Sequence, residues 1–127
     1  MQRILSAKGQ HDELAIGRFR SETTRLRQIL NDQLEASGGP FVLGEQITLA
    51  DVACFPYCAS WYWANTPIDD MPALKRWVAM LHEREPFKVG LTVPFARPAF
   101  FGPEHASEEE IQTEIAKNAG QFNIKTK

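Results

Sequence analysis

Residues 47–52, Ile-Thr-Leu-Ala-Asp-Val, constrain this chain more than any other stretch. Thr48 stands where a helix N-cap belongs: its hydroxyl can accept a bond from a backbone N–H in the first turn. Asp51, three residues on, can reach back to the Thr48 N–H, a shorter variant of the Glu or Gln usual in such a box. Ile47 and Val52 occupy the positions of a hydrophobic staple. The helix that this box starts carries Val52, Ala53, Cys54, Phe55, Tyr57, Cys58, Ala59, Trp61, Tyr62 and Trp63. A helix apolar nearly all round belongs at the centre of a domain, so other helices must surround it. Pro56 predicts a kink, because it removes one backbone bond and clashes with the carbonyl four residues back. Asn65-Thr66-Pro67 ends the helix.

The surrounding helices are legible from their periodicity. Leu14, Phe19, Thr23, Leu26, Leu30 and Leu34 step by three to five residues, which predicts one buried face of a helix from about Asp12 to Ala36. Arg18, Arg20, Glu22, Arg25, Arg27 and Asp32 fill the rest of that helix, and Ser37-Gly38-Gly39-Pro40 stops it. Gly44 permits a turn before the capping box. Asp69-Asp70-Met71-Pro72 opens a third helix, with Leu74, Trp77, Val78 and Leu81 as its buried stripe, and Glu85-Pro86 ends it. A short helical turn is expected at Phe87 to Leu91. From Val93 to Pro103, Pro94, Pro98 and Pro103 interleave with Phe95, Phe100 and Phe101, which predicts an extended tail whose rings need something to cover. Ser107 and Glu110 form a second capping box ahead of Ile111 and Ile115, and Gly120 closes that helix. The reading is all-α, one domain over 1–127 with a core at 12–94 and a tail at 95–127.

Composition excludes several functions. At 127 residues the chain can bury one core. A net charge of −2 leaves no electrostatic footprint for nucleic acid. No apolar run is long enough to span a membrane, and Met1 to Gln10 has no secretory pattern. Cys54 and Cys58, four apart on one helix, read as small buried hydrophobes rather than a disulfide or metal pair, and a cytoplasmic location is expected. No His/Cys/Asp set has metal spacing, so no metal is expected.

Three segments together resemble the C-terminal helical domain of glutathione transferases. Ala15 to Thr23 with Leu26, Leu30 and Leu34 looks like one of that domain's long helices; Leu43-Gly44 followed by Ile47 to Ala53 looks like its folding signature. Phe55-Pro56-Tyr57, Asp69-Asp70-Met71-Pro72, Leu74-Lys75-Arg76-Trp77 and Val89-Gly90-Leu91 with Val93-Pro94 resemble the bacterial nu-class and fungal nitrogen-regulator-like branch. The resemblance implies a bundle whose first helix is truncated, with Met1 to Gly9 matching only its last turns. It also implies that the thioredoxin-like, glutathione-binding half is absent, so that no cofactor is expected unless such a partner is supplied. A homo-oligomer would cover the apolar surface that truncation leaves bare.

The same resemblance implies that Arg18 stands where that branch projects an arginine towards the glutathione sulfur. Here it would serve as a permanent cation for an anionic oxygen, and the bland reading is a solvated helix arginine. His11 and Tyr57 are further acid–base candidates, as are His105 and Tyr62; a loop histidine is as readily just solvated, and His82 is expected at the surface. Leu14, Trp61, Tyr62, Phe95, Phe100 and Phe101 are candidates to line an apolar pocket, with plain core packing as the alternative. Thr48 and Asp51 are structural caps. The functional expectation is a protein that binds, and transforms by isomerisation, cyclisation or elimination, a hydrophobic small molecule in detoxification or secondary metabolism. A non-catalytic interaction module and a truncated part of a conventional transferase are the rival expectations.

Overall fold

The computed structural model describes residues 13–94, 96, 101–102 and 104–121. Six helices run through them: α1 Glu13–Ala36, α2 Leu49–Ala59, α3 Trp61–Ala64, α4 Pro72–His82, α5 Glu85–Gly90 and α6 Glu108–Gln121. There is no strand among the described residues, only an isolated bridge between Phe41 and Gly44. The all-α expectation holds.

The capping box forms, and it does more than cap. The Thr48 hydroxyl accepts from the Ala50 N–H at 3.2 Å, and the Thr48 N–H donates to Asp51 Oδ2 at 2.9 Å. The other carboxylate oxygen, Oδ1, accepts from the Val42 N–H at 3.0 Å and from the Trp77 indole N–H at 2.9 Å. Asp51 is fully buried. One side chain therefore joins the start of α2, the 41–44 turn and the middle of α4. Burial alone would raise the Asp51 pKa, but the N–H groups of Val42, Trp77 and Thr48 and the Thr48 hydroxyl hold it below the usual carboxylate value. The turn it grips is tight: Gly44 has φ of 111°, and a Cβ on Gly39 would stand 2.3 Å from the Gly44 carbonyl carbon.

The expected buried face of α1 is corrected by the structure. Leu14 is 85% exposed, and Phe19 and Leu26 also face outward. The buried side carries Ile16, Arg27, Asn31 and Leu34, with Thr23 and Leu30 half-buried. Polar side chains occupy the inner face because they bond to other elements. Arg27, expected at the surface, donates from Nη1 to the carbonyl and hydroxyl of Thr66 and from Nη2 to the Tyr57 carbonyl at 2.6 Å. Asn31 Oδ1 accepts from the N–H groups of Ala73 and Leu74 at 3.0 and 3.1 Å. It thereby caps α4, whose own N-cap residue, Met71, makes no side-chain cap bond.

The α2 expectation needs two corrections. The helix is not buried all round: Asp51, Phe55, Cys58 and Ala59 face the core, while Leu49 and Tyr57 are 85% and 79% exposed and Val52 is also exposed. The chain breaks at Ser60 rather than running on to Trp63: Ser60 has ψ of 22°, and α3 restarts after it. The break turns Trp63 into the core while Tyr57 stays outside. Pro56 itself sits inside α2.

On α4, Ala73, Leu74, Trp77, Val78 and Leu81 are buried, the expected stripe with one addition. The Phe55 ring meets Trp77 edge-on at 6.2 Å and Phe87 at 4.8 Å. The second capping box also forms: the Ser107 N–H donates to Glu110 Oε2 at 2.8 Å, and the Glu110 N–H donates to the Ser107 hydroxyl at 3.3 Å. Helix α6 runs one residue past Gly120 and pins itself with Ile111, which is fully buried.

Asp51→Ala leaves the Val42 N–H and the Trp77 indole without their buried acceptor, and should cost about 3–5 kcal/mol in urea unfolding. Asp51→Asn keeps one acceptor and should cost about 1–3 kcal/mol. Because the folded-state pKa is lowered, the charge contributes stability above its ordinary value of 3.8 and loses it as pH falls through the lowered value.

Candidate functional site

A groove of about 590 Å³ opens between α2, α5 and the segment that follows α5. Helix α2 supplies Val52, Phe55 and Pro56; α5 supplies Pro86, Phe87 and Gly90. Leu91, Val93, Pro94 and Phe101 complete the wall. Not one of these side chains is charged. The volume lies within the range of roughly 300–1,000 Å³ typical of small-molecule sites. Phe101 packs against His82 of α4 and closes one side of the groove.

A second recess of about 230 Å³ adjoins it and shares Leu91 and Phe101. Its lining is different in kind: His82, Lys88, Thr92, Ala96 and His105. His82 and His105 stack, with ring centroids 4.2 Å apart and planes 21° from parallel. Phe101 meets both imidazoles edge-on, at 5.7 and 6.3 Å. His82 also touches the Phe55 ring at 6.3 Å, so the pair reaches the floor of the groove. His82, expected at the surface, is half-buried. Burial first, and then the neighbouring His105 and Lys88, lower its pKa against the opposing pull of Glu83. Its imidazole is therefore neutral at neutral pH and able to take up a proton.

Of the residues expected from the sequence, Phe101 lines the groove. Leu14, Arg18, Tyr57, Trp61 and Tyr62 are not part of its wall. Arg18 is exposed on α1, near enough to Glu22 to act on its carboxyl. Trp61 packs half-buried against the core, and its ring meets Tyr62 edge-on at 5.9 Å. Tyr62 covers Gly102, where a Cβ would approach its ring to 2.9 Å, and so anchors the returning tail. His11, Phe95 and Phe100 lie outside the described residues, as does the segment from Met1 to Gly9. The rest of the wall, from Val52 and Phe55 on α2 to Val93 and Pro94, is not among the sequence candidates; its one signal is a proline-interrupted phenylalanine tail in need of a surface.

Both cysteines are free thiols. Burial pushes the Cys58 pKa up to about 11 despite the nearby Arg27 guanidinium, so Cys58 is a poor nucleophile. Among the described residues, no group of three or more His, Cys, Asp or Glu side chains is placed to hold a metal ion. Among them, too, no helix is long and apolar enough to cross a membrane.

This bundle, with Asp51 at its centre, agrees with what comparison with known proteins finds. Residues 18–79 match the glutathione S-transferase C-terminal domain. The match begins within α1 and ends within α4, short of α5 and of Leu91, Val93, Pro94 and Phe101. A relative, the disulfide-bond oxidoreductase YfcG of Escherichia coli (strain K12), is 40% identical over 70 residues, 55% of this chain. The aligned stretch spans 30% of that protein's length. No solved structure gives a significant match. The match thus falls on the helical core, while His105 and Phe101 lie beyond the matched residues.

His82 should titrate below the ordinary histidine value of 6.5 when its ring protons are followed by NMR. Since its folded-state pKa is lowered, the unfolded chain binds more protons near pH 6. Stability should therefore fall as pH drops below 6.5 towards the folded value. His82→Phe should remove that part of the pH dependence.

Proposed function

We propose that this protein binds a hydrophobic small molecule in the groove between α2, α5 and Phe101. The single observation that carries this reading is a wall built almost wholly from apolar side chains on three separate segments. An apolar groove of that size excludes water poorly when empty and gains by filling. The chemistry within reach is proton transfer by the neutral His82 imidazole, which suits an isomerisation or elimination better than a conjugation. The relative's printed activity is disulfide-bond oxidoreduction. The buried Cys58 thiol does not favour that chemistry at its own sulfur.

The exposed apolar side chains on α1, Leu14, Phe19, Leu26 and Ile29, support a second reading as a helical interaction module that self-associates. A third, supported by the short span of the relative that this chain covers, is one part of a larger transferase of the nu-class-like branch with a thioredoxin-like half.

Melting temperature separates the three. A neutral apolar ligand at a hundred times its dissociation constant should add about 2.7 kcal/mol of stability. Val52→Trp fills the groove from an exposed position, so it should abolish that gain while leaving the unliganded melting point nearly unchanged. Arg18→Ala should leave the gain intact. A response to glutathione alone would favour the larger transferase. Silence to every ligand, with a dimeric mass by light scattering, would favour the interaction module.

A further inference from the structure

We propose that the occupant of the groove is an amphipathic acid, its hydrocarbon chain against Phe87, Leu91 and Phe101 and its carboxylate in the adjoining recess among His82, Lys88 and His105. This rests on the reading of the groove as a hydrophobic site and adds the chemistry of the head. The two spaces share Leu91 and Phe101, so one molecule bent around the Phe101 ring occupies both. Their linings are complementary in kind. Among the described residues the larger is uncharged, whereas the smaller is lined by an ammonium group and two imidazoles, with the Glu83 carboxylate paired to that ammonium at its edge.

That set selects the sign of the head. Lys88 offers three N–H donors, and each imidazole offers an N–H in either protonation state. A carboxylate accepts from all of them, and such charge-assisted bonds are the strong ones. An ammonium head would meet like charge and competing donors, and the one nearby carboxylate, Glu83, is already paired with Lys88. Lys88 Nζ is engaged with Glu83 at 3.0 Å, but the pair is exposed. Exposed pairs hold weakly, so Lys88 can exchange Glu83 for a ligand carboxylate without opening the core. Thr92 does not compete, because its hydroxyl is bonded to the Val89 carbonyl at 2.8 Å. The stacked histidines hold the recess in shape: His82 comes from α4 and His105 from the turn before α6, so their contact fixes one wall against the other.

Two probes of equal chain length decide the matter: decanoate and decan-1-ol, each titrated calorimetrically at pH 7 below micellar concentration. Decanoate should bind at least about tenfold more tightly than decan-1-ol. Lys88→Gln and His105→Gln, both at exposed positions, should weaken decanoate about tenfold, and Lys88→Gln should leave decan-1-ol within twofold. Equal binding of the two probes, untouched by either variant, overturns the assignment of the head while the hydrophobic reading of the groove stands. Failure of both probes to bind overturns both. Circular dichroism of the variants, expected to match the parent, keeps a loss of binding from being a loss of fold.

Discussion

The structure depends on one buried carboxylate. Asp51 has no access to solvent, yet it is held in its charged form by four donors from three places in the chain. A buried charge with so many N–H partners is tolerated only where those partners are fixed, and fixing them fixes the fold. The Val42 N–H brings the 41–44 turn in against α2. The indole of Trp77 sets the rotation of α4. That rotation places Trp77 against Phe55, and Phe55 in turn is the floor of the groove and a neighbour of His82. The chain of cause runs from a capping box to the shape of a candidate ligand site in four contacts.

Around that centre, polar side chains do much of the docking that apolar ones do in simpler bundles. Arg27 ties α1 to the end of α2 and to Thr66; Asn31 ties α1 to the start of α4. Each answers carbonyls or N–H groups that a helix end leaves without partners. Such contacts are directional, so they specify how α1 lies on the bundle in a way that a stripe of leucines would not.

The same fact explains what the sequence made legible and what it hid. The capping boxes at Thr48 and Ser107, the stop at Gly38-Gly39 and the stripe on α4 are local patterns, and local patterns are read directly. The inner face of α1 was misread because Arg27 and Asn31 look like solvent residues until their partners thirty or forty positions away are known. The exposure of Tyr57 was hidden because composition says nothing about how many neighbours a helix has. The groove was nearly invisible: its wall is contributed by α2, α5 and the returning tail, and only the tail's aromatic rings announced a need for cover. In the sequence His105 stands only as an isolated acid–base candidate and His82 as a surface residue, for they lie far apart in the chain and meet only through the turn before α6.

The helical core and the segment that carries Phe101 and His105 contribute different things. The core supplies a rigid floor; the tail supplies Phe101 and His105 and turns a bare helix face into a walled groove. The most direct test is a methyl-labelled NMR titration with decan-1-ol. The largest shifts should fall on the methyl groups of Val52, Leu91 and Val93, with those of Leu14 and Leu26 unmoved. Shifts concentrated on Leu14 and Leu26 of α1, with Val52, Leu91 and Val93 silent, would contradict this placement of the ligand.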